Sequence, residues 1–240
     1  MMPLVSALCP TYARSPHSIN LLEECFYWFA RQTYPNKELI VLNDAPNQII
    51  HCDVPGIIIY NFHRRFDNLG DKRNELVRLA NGDILLPWDD DDISLPNRMA
   101  QAAAKLADAD YFDPRQSFYQ QGGILYADHK HNCTHNASAY TRTAFRAVGG
   151  YPPLISGEDQ EIVRRFHEQV RVADPLGSVL EWTYVYRWGV SRRHLSGLYP
   201  SQFRAAWDDY CAETCEVHIT PKMHRDYAME TEALARARSV

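Results

Sequence analysis

The chain has 240 residues, room for one sizeable domain, and its 30 acidic against 25 basic side chains leave a formal net charge of −5. That balance and a pI near 6.0 exclude a global electrostatic footprint for nucleic acid, although Arg64-Arg65, Arg192-Arg193 and Arg236 with Arg238 leave a local basic patch open. The start, Met1-Met2-Pro3-Leu4-Val5-Ser6, lacks the basic and apolar regions of a signal peptide, and no run approaches the roughly 18 apolar residues of a membrane span, so a soluble cytoplasmic protein is expected.

In chain order, residues 4–8 read as a first strand. Ser18 can cap a helix whose Leu22, Cys25, Phe26 and Phe29 recur at helical spacing, and Tyr34-Pro35-Asn36 ends it. Residues 38–43 and 56–60 follow as strands. A helix over 72–80 stops at Asn81-Gly82, and Ile84-Leu85-Leu86-Pro87-Trp88 makes a fourth strand. Pro87 cannot donate to a ladder, so it belongs at the strand's end or on a free side, and Pro96 opens the next helix. This alternation predicts an α/β fold whose central sheet is mostly parallel. The second half is less regular: a strand over 122–126, a short helix over 141–148 ended by Gly149-Gly150, a helix over 159–170, a long strand over 178–187, a helix over 200–215 and a helical tail from Tyr227. Of the six scattered cysteines only Cys211 and Cys215 are close, at a helical spacing, so reduced thiols are expected, and the sequons at Asn132 and Asn136 would matter only after secretion.

Four consecutive aspartates, Asp89, Asp90, Asp91 and Asp92, emerge at the C-terminal end of the fourth strand, where open α/β sheets place their ligand crevice. An isolated acidic run is ordinarily a solvated turn; the buried strand in front of this one argues for a site. Adjacent anions repel unless a cation holds them, and hard carboxylate oxygens suit Mg2+ or Mn2+ bridging to substrate phosphates. An EF-hand loop fails on spacing, because counting from Asp89 puts Ser94 where glycine is needed and Ala100 where the bidentate glutamate belongs.

Several segments, in order, resemble the family-two inverting glycosyltransferases of GT-A fold. Residues 3–12 are similar to that family's opening strand and nucleotide loop, and residues 32–44 to its second strand with the aspartate that meets the base. Gly70-Asp71-Lys72-Arg73-Asn74, Ala80-Asn81-Gly82-Asp83 and Trp88-Asp89-Asp90-Asp91-Asp92 resemble the run from its basic helix to its DxD motif. Gly149-Gly150-Tyr151-Pro152, then Gly157-Glu158-Asp159, resembles the approach to its catalytic base. Each piece alone is weak; the ordered set covers roughly residues 3–195.

The resemblance implies a single GT-A, Rossmann-like domain: a nucleotide-sugar half over 1–110, an acceptor and catalytic-base half over 111–215, and a helical tail over 216–240. It implies a donor that is a nucleoside-diphosphate sugar, expected to be a UDP-sugar, with Mn2+ or Mg2+ as cofactor. Pro10, Thr11 and Tyr12 then line the nucleotide, Asp44 and Arg73 meet the base, Asp89 faces the ribose, Asp91 takes the metal, and Asp90 suits either role. His194 resembles a late histidine brought to the metal or diphosphate; a surface histidine is the plain alternative, and Arg192 or Arg193 could clamp phosphate instead. Asp159 is the candidate base, while Glu158 either contacts phosphate or acceptor or, like Glu161, only stabilises its helix start.

His129, His131, Cys133 and His135 alternate, so in an extended segment they would share one face and could hold zinc, which the family does not explain. The acceptor is expected to be a saccharide or lipid-linked sugar, with a hydroxylated DNA base or a protein side chain as alternatives. Two rivals are a sugar-1-phosphate nucleotidyltransferase and a non-catalytic sugar-nucleotide binder. The first needs a glycine-rich phosphate loop, and Pro10-Thr11-Tyr12-Ala13-Arg14-Ser15-Pro16 has no glycine.

Overall fold

A computed structural model describes residues 2–12, 19–127, 134–188 and 215–239. The first half runs β1 (Val5–Thr11), α1 (Ile19–Ala30), β2 (Lys37–Asn43), β3 (Gln48–His51), β4 (Ile57–Asn61), α2 (Leu69–Leu79), β5 (Ile84–Pro87), β6 (Ile93–Ser94) and α3 (Arg98–Lys105). It continues with β7 (Tyr111–Phe112), β8 (Phe118–Gln121), β9 (Ile124–Tyr126), α4 (Thr134–Ala137), β10 (Ala139–Thr141), α5 (Arg142–Ala147), α6 (Glu158–Gln169), β11 (Tyr184–Trp188), β12 (Cys215–His218) and α7 (Tyr227–Arg238).

The main sheet has the order β4-β2-β1-β5-β10-β7, with β4, β2, β1 and β5 parallel and β10 antiparallel to both neighbours. Strand periodicity builds the core in two layers. Ala7, Cys9, Leu39, Val41, Ile84 and Leu86 face one side, where Leu22, Cys25, Phe26 and Phe29 of α1 cover them. Leu8, Ile40, Leu42 and Leu85 face the other, under Leu76 and Val77 of α2 and Ile162 and Phe166 of α6. The chain leaves β1 for β2 and β4 on one side and then returns through α2 to β5 on the other. The C-terminal ends of β1 and β5 therefore flank a topological switch point, the place where such sheets open a crevice.

The expected α/β architecture is present, and Pro87 ends β5 opposite Leu8 of β1. Several elements differ from expectation. Gly122 and Gly123 do not begin a strand; with φ of +57° and +82° they form the two-residue turn between β8 and β9, a conformation that favours glycine. Residues 178–187 are not one strand, because Ser178 caps a short 3-10 turn over Val179–Glu181 before β11 starts. β3 had no expected counterpart; it pairs in parallel with β12, which lies 167 positions on, measured from Gln48 to Cys215. The tail is helical as expected, and it is packed: Asp226 caps α7, and Tyr227, Thr231 and Ala235 are buried. Ser18 and the helix expected over 200–215 lie outside the described residues, except Cys215, which begins β12. No helix among the described residues is long and apolar enough to cross a membrane.

Candidate active site

Three strand ends build the crevice. Thr11, closing β1, donates its hydroxyl to Asp90 Oδ2 at 2.5 Å. Its carbonyl accepts from Lys72 Nζ at 2.6 Å, and the same ammonium donates to Asp44 Oδ1 at 2.5 Å, just beyond β2. The backbone N–H of Phe66 donates to Asp44 Oδ2 at 3.0 Å. Lys72 and Asp44 are both buried. Burial pulls the Lys72 ammonium below its ordinary range, and the Asp44 charge opposes that pull. Pro10 lies opposite Leu42 in the β1–β2 ladder. Tyr12 packs beside Ala45, with the Arg65 guanidinium 4.7 Å over its ring.

The aspartates divide by partner. The Asp89 side chain, 18% exposed, lies 3.5 Å from Arg73 Nη2. Asp92 is buried and accepts from the Tyr184 hydroxyl and from the Arg187 N–H at 2.7 Å. Burial, reinforced by the Asp91 and Asp89 charges, pushes the Asp92 carboxyl well above the carboxylate range. Asp91 is 8% exposed, and its backbone carbonyl accepts from Arg187 Nε. These residues suit a small hard cation. Among the described residues no three metal-ligating side chains converge, so a divalent ion would take one or two of these carboxylates and complete its shell with phosphate oxygens and water.

Across the crevice, Arg73 Nε lies 3.4 Å from Glu158 Oε1 at the start of α6. Burial works against the Arg73 charge, yet Asp89, Tyr151, Glu158 and Asp159 together raise it above its ordinary value. Burial also raises the Glu158 carboxyl, and Arg73 draws it back. Asp159 stays partly exposed beside it, with its Oδ1 accepting from Gln160 N–H at 2.8 Å. The first turn of α2 and the 149–152 stretch are in tight contact, since a Cβ on Gly70 would stand 1.9 Å from the Pro152 carbonyl oxygen. Asn74 locks the two together, donating to the Tyr151 carbonyl and accepting from the Tyr151 N–H, both at 2.9 Å.

His135 is not on an extended segment; it sits in α4, and the alternation argument for zinc does not extend to it. Its Nδ1 meets Asn136 Oδ1 and its Nε2 meets the Tyr151 hydroxyl, each at 2.9 Å. His129, His131, Cys133, Arg192, Arg193 and His194 lie outside the described residues. Burial, then the Arg73 charge, depresses the His135 imidazole to about 4. A folded-state value below the ordinary 6.5 means that the unfolded chain takes up a proton first, so stability is full above about pH 6.5 and falls as pH drops towards 4. The expected loss between pH 7 and pH 5 from this group is about 2 kcal/mol. Urea titrations at both pH values check it: His135→Gln should lose that much less than the parent, and equal losses would remove His135 as the cause.

The structure pairs Asp44 with Lys72 and sets Arg73 between Asp89 and Glu158, a division that sequence reading did not foresee. It also brings in residues that had no signal. Arg98 of α3 donates to Ser94 Oγ, the Pro87 carbonyl and the Asn136 carbonyl, and burial lowers its guanidinium to about 10. Glu24, Tyr184 and Arg187 join it behind the aspartates; only the apolar spacing of α1 hinted that Glu24 was turned inward.

Residues 6–166 match the family model for glycosyl transferase family 2. Over 130 residues the chain is 29% identical to the uncharacterized glycosyltransferase YwdF of Bacillus subtilis (strain 168), covering 51% of this chain and 46% of that protein. S. aureus TarS 1-349, solved in complex with UDP-GlcNAc, superposes with a TM-score of 0.62 at 18% identity, over 82% of this chain and 61% of that one. The mannosyltransferase PcManGT from Pyrobaculum calidifontis, solved with GDP-Man and Mn2+, gives a TM-score of 0.56 at 19% identity, over 81% of this chain and 59% of that one. At such identities the likeness to the solved structures is one of fold. The chain spans about half the length of the curated relative and about three fifths of these solved neighbours.

Proposed function

The chain belongs to glycosyltransferase family 2, and on that footing we propose that it moves a sugar, with inversion, from a nucleoside-diphosphate sugar to an acceptor hydroxyl. The observation that carries this is Arg73, which joins the acidic turn after β5 to the start of α6. A donor diphosphate on one side and a candidate base on the other then share one crevice at the switch point.

In this reading Asp159 accepts the proton of the acceptor hydroxyl while that oxygen attacks the anomeric carbon from the face opposite the nucleotide. The bond from carbon to phosphate oxygen breaks, its electron pair stays on the departing diphosphate, and the configuration inverts. Asp91 would hold a Mn2+ or Mg2+ ion, with Asp89 facing the ribose and Asp90 suited to either role; the ion would supply positive charge against the negative charge that builds on the leaving group. Asp44 is assigned to the base, with Pro10, Thr11 and Tyr12 along the same wall. Lys72 and the Phe66 N–H engage two lone-pair sites of Asp44, and a carboxylate has about four, which leaves acceptors for the N–H of a uracil. A UDP-sugar donor is supported by the acceptor capacity left on Asp44 and by the likeness to the TarS fold solved with UDP-GlcNAc. The acceptor proposed is a saccharide or lipid-linked sugar, and the negative net charge weighs against a DNA base.

The test is a panel of UDP- and GDP-sugars assayed for Mn2+-dependent hydrolysis or transfer, followed by an acceptor library. Nucleotide release from a UDP-sugar supports the reading, and binding without release under any acceptor would favour the non-catalytic alternative. Alanine at Asp44 would leave the buried Lys72 ammonium with neither counter-charge nor side-chain acceptor, whereas asparagine keeps an acceptor oxygen for it, so asparagine is the cleaner probe. Asp44→Asn is expected to weaken UDP binding by about ten- to a hundredfold and to leave inorganic diphosphate binding unchanged. Calorimetry with both ligands checks this, and an equal fall for both would take Asp44 away from the base.

A further inference from the structure

Four consecutive carboxylates repel one another, so the conformation of the acidic turn depends on a brace from elsewhere in the fold. β11 provides it. Its antiparallel register on β6 pairs Tyr184 with Ser94 and Val185 with Ile93, which carries Arg187 alongside Asp91 and Asp92. There the Arg187 N–H donates to Asp92 Oδ1 at 2.7 Å, Arg187 Nε donates to the Asp91 carbonyl, and the Tyr184 hydroxyl donates to Asp92 Oδ2. The guanidinium is in turn held from behind. Its Nη1 meets Glu24 Oε2 of α1 at 2.5 Å, and its central carbon lies 5.8 Å from the centroid of the Tyr227 ring on α7. Tyr227 is anchored through its hydroxyl, which donates to Gln120 Oε1 at 2.5 Å.

Arg187 and Glu24 are 2% and 3% exposed. The desolvation of so deeply buried an ion pair largely offsets its attraction, so net stability is a poor reason for its presence. Three hydrogen bonds directed at two consecutive aspartates are a better one. Resting on the functional reading above, we propose that Arg187 and Tyr184 are positioning residues: they fix the turn so that Asp91 faces a divalent ion, with Glu24 and Tyr227 fixing Arg187. The C-terminal helix thereby becomes part of the support of the site rather than an appendage.

The test is Mn2+ binding to the full chain saturated with UDP, read as loss of the free-ion paramagnetic resonance signal, beside metal-free UDP binding by calorimetry. Tyr184→Phe deletes one hydroxyl; Arg187→Lys keeps the charge and the backbone N–H but withdraws Nε. Each is expected to weaken Mn2+ binding by about tenfold or more, as loss of a group that orients a ligand does, with metal-free UDP binding within about twofold of the parent. If Arg187→Lys fails to fold, Tyr184→Phe decides alone. A lower melting temperature with parental Mn2+ affinity would mark these residues as structural and overturn the proposal. Should the parent itself bind UDP with no response to Mn2+, the metal-dependent reading falls and this proposal falls with it; a responsive parent with parental variants overturns only the proposal.

Discussion

Asp159→Asn is expected to lower sugar transfer by about 10²- to 10⁴-fold, the usual contribution of a positioned general base. Donor affinity should stay within about twofold of the parent, since asparagine keeps the shape and an acceptor oxygen and loses only the capacity to take a proton. The structure favours a clean outcome. Asp159 is partly exposed and accepts locally from the Gln160 N–H, whereas its neighbour Glu158 is buried against Arg73. Single-turnover transfer with a saturating donor separates chemistry from binding. Near-parental transfer would exclude Asp159 as the base, and parallel loss of UDP binding and turnover would mean that it only stabilises the start of α6. In the parent, the product of a single displacement should show the opposite anomeric configuration to the donor, which proton magnetic resonance of the product reads directly.

Asp91→Ala is expected to remove the Mn2+-dependent part of UDP affinity, so that binding with and without the ion becomes equal. The fold should survive, because the variant takes one charge out of a cluster in which Asp91 and Asp89 already push the Asp92 carboxyl upward. An apo melting temperature equal to the parent's or above it is therefore expected. Calorimetry of UDP with and without Mn2+ measures the effect. A variant that keeps the parental response to Mn2+ would remove Asp91 from the metal site and shift attention to Asp89.

The main features of the site were legible because they lie in short windows of sequence. The run from Ile84 to Trp88 is apolar, so it had to be interior, and the aspartates had to leave it together at one end. The Gly149-Gly150 stop and the acidic start of α6 were visible in the same way. The pairing of Lys72 with Asp44 was not. Lys72 and Arg73 are adjacent on α2, where successive side chains point about 100° apart, and nothing local tells which of the two turns towards the end of β2 and which towards α6. His135 read as one of an alternating set until α4 turned it against Tyr151.

By itself, the sequence determined a mostly parallel α/β sheet and an acidic turn at the C-terminal end of a buried strand, because periodicity and burial act over a few residues at a time. Only the tertiary structure decided how that turn is held. Glu24 and Arg187 are 163 positions apart, Tyr184 and Asp92 are 92 apart, and β3 meets β12 across a comparable distance. Such contacts depend on strand order and register, and no pattern within a short window encodes which remote charge will be buried opposite another.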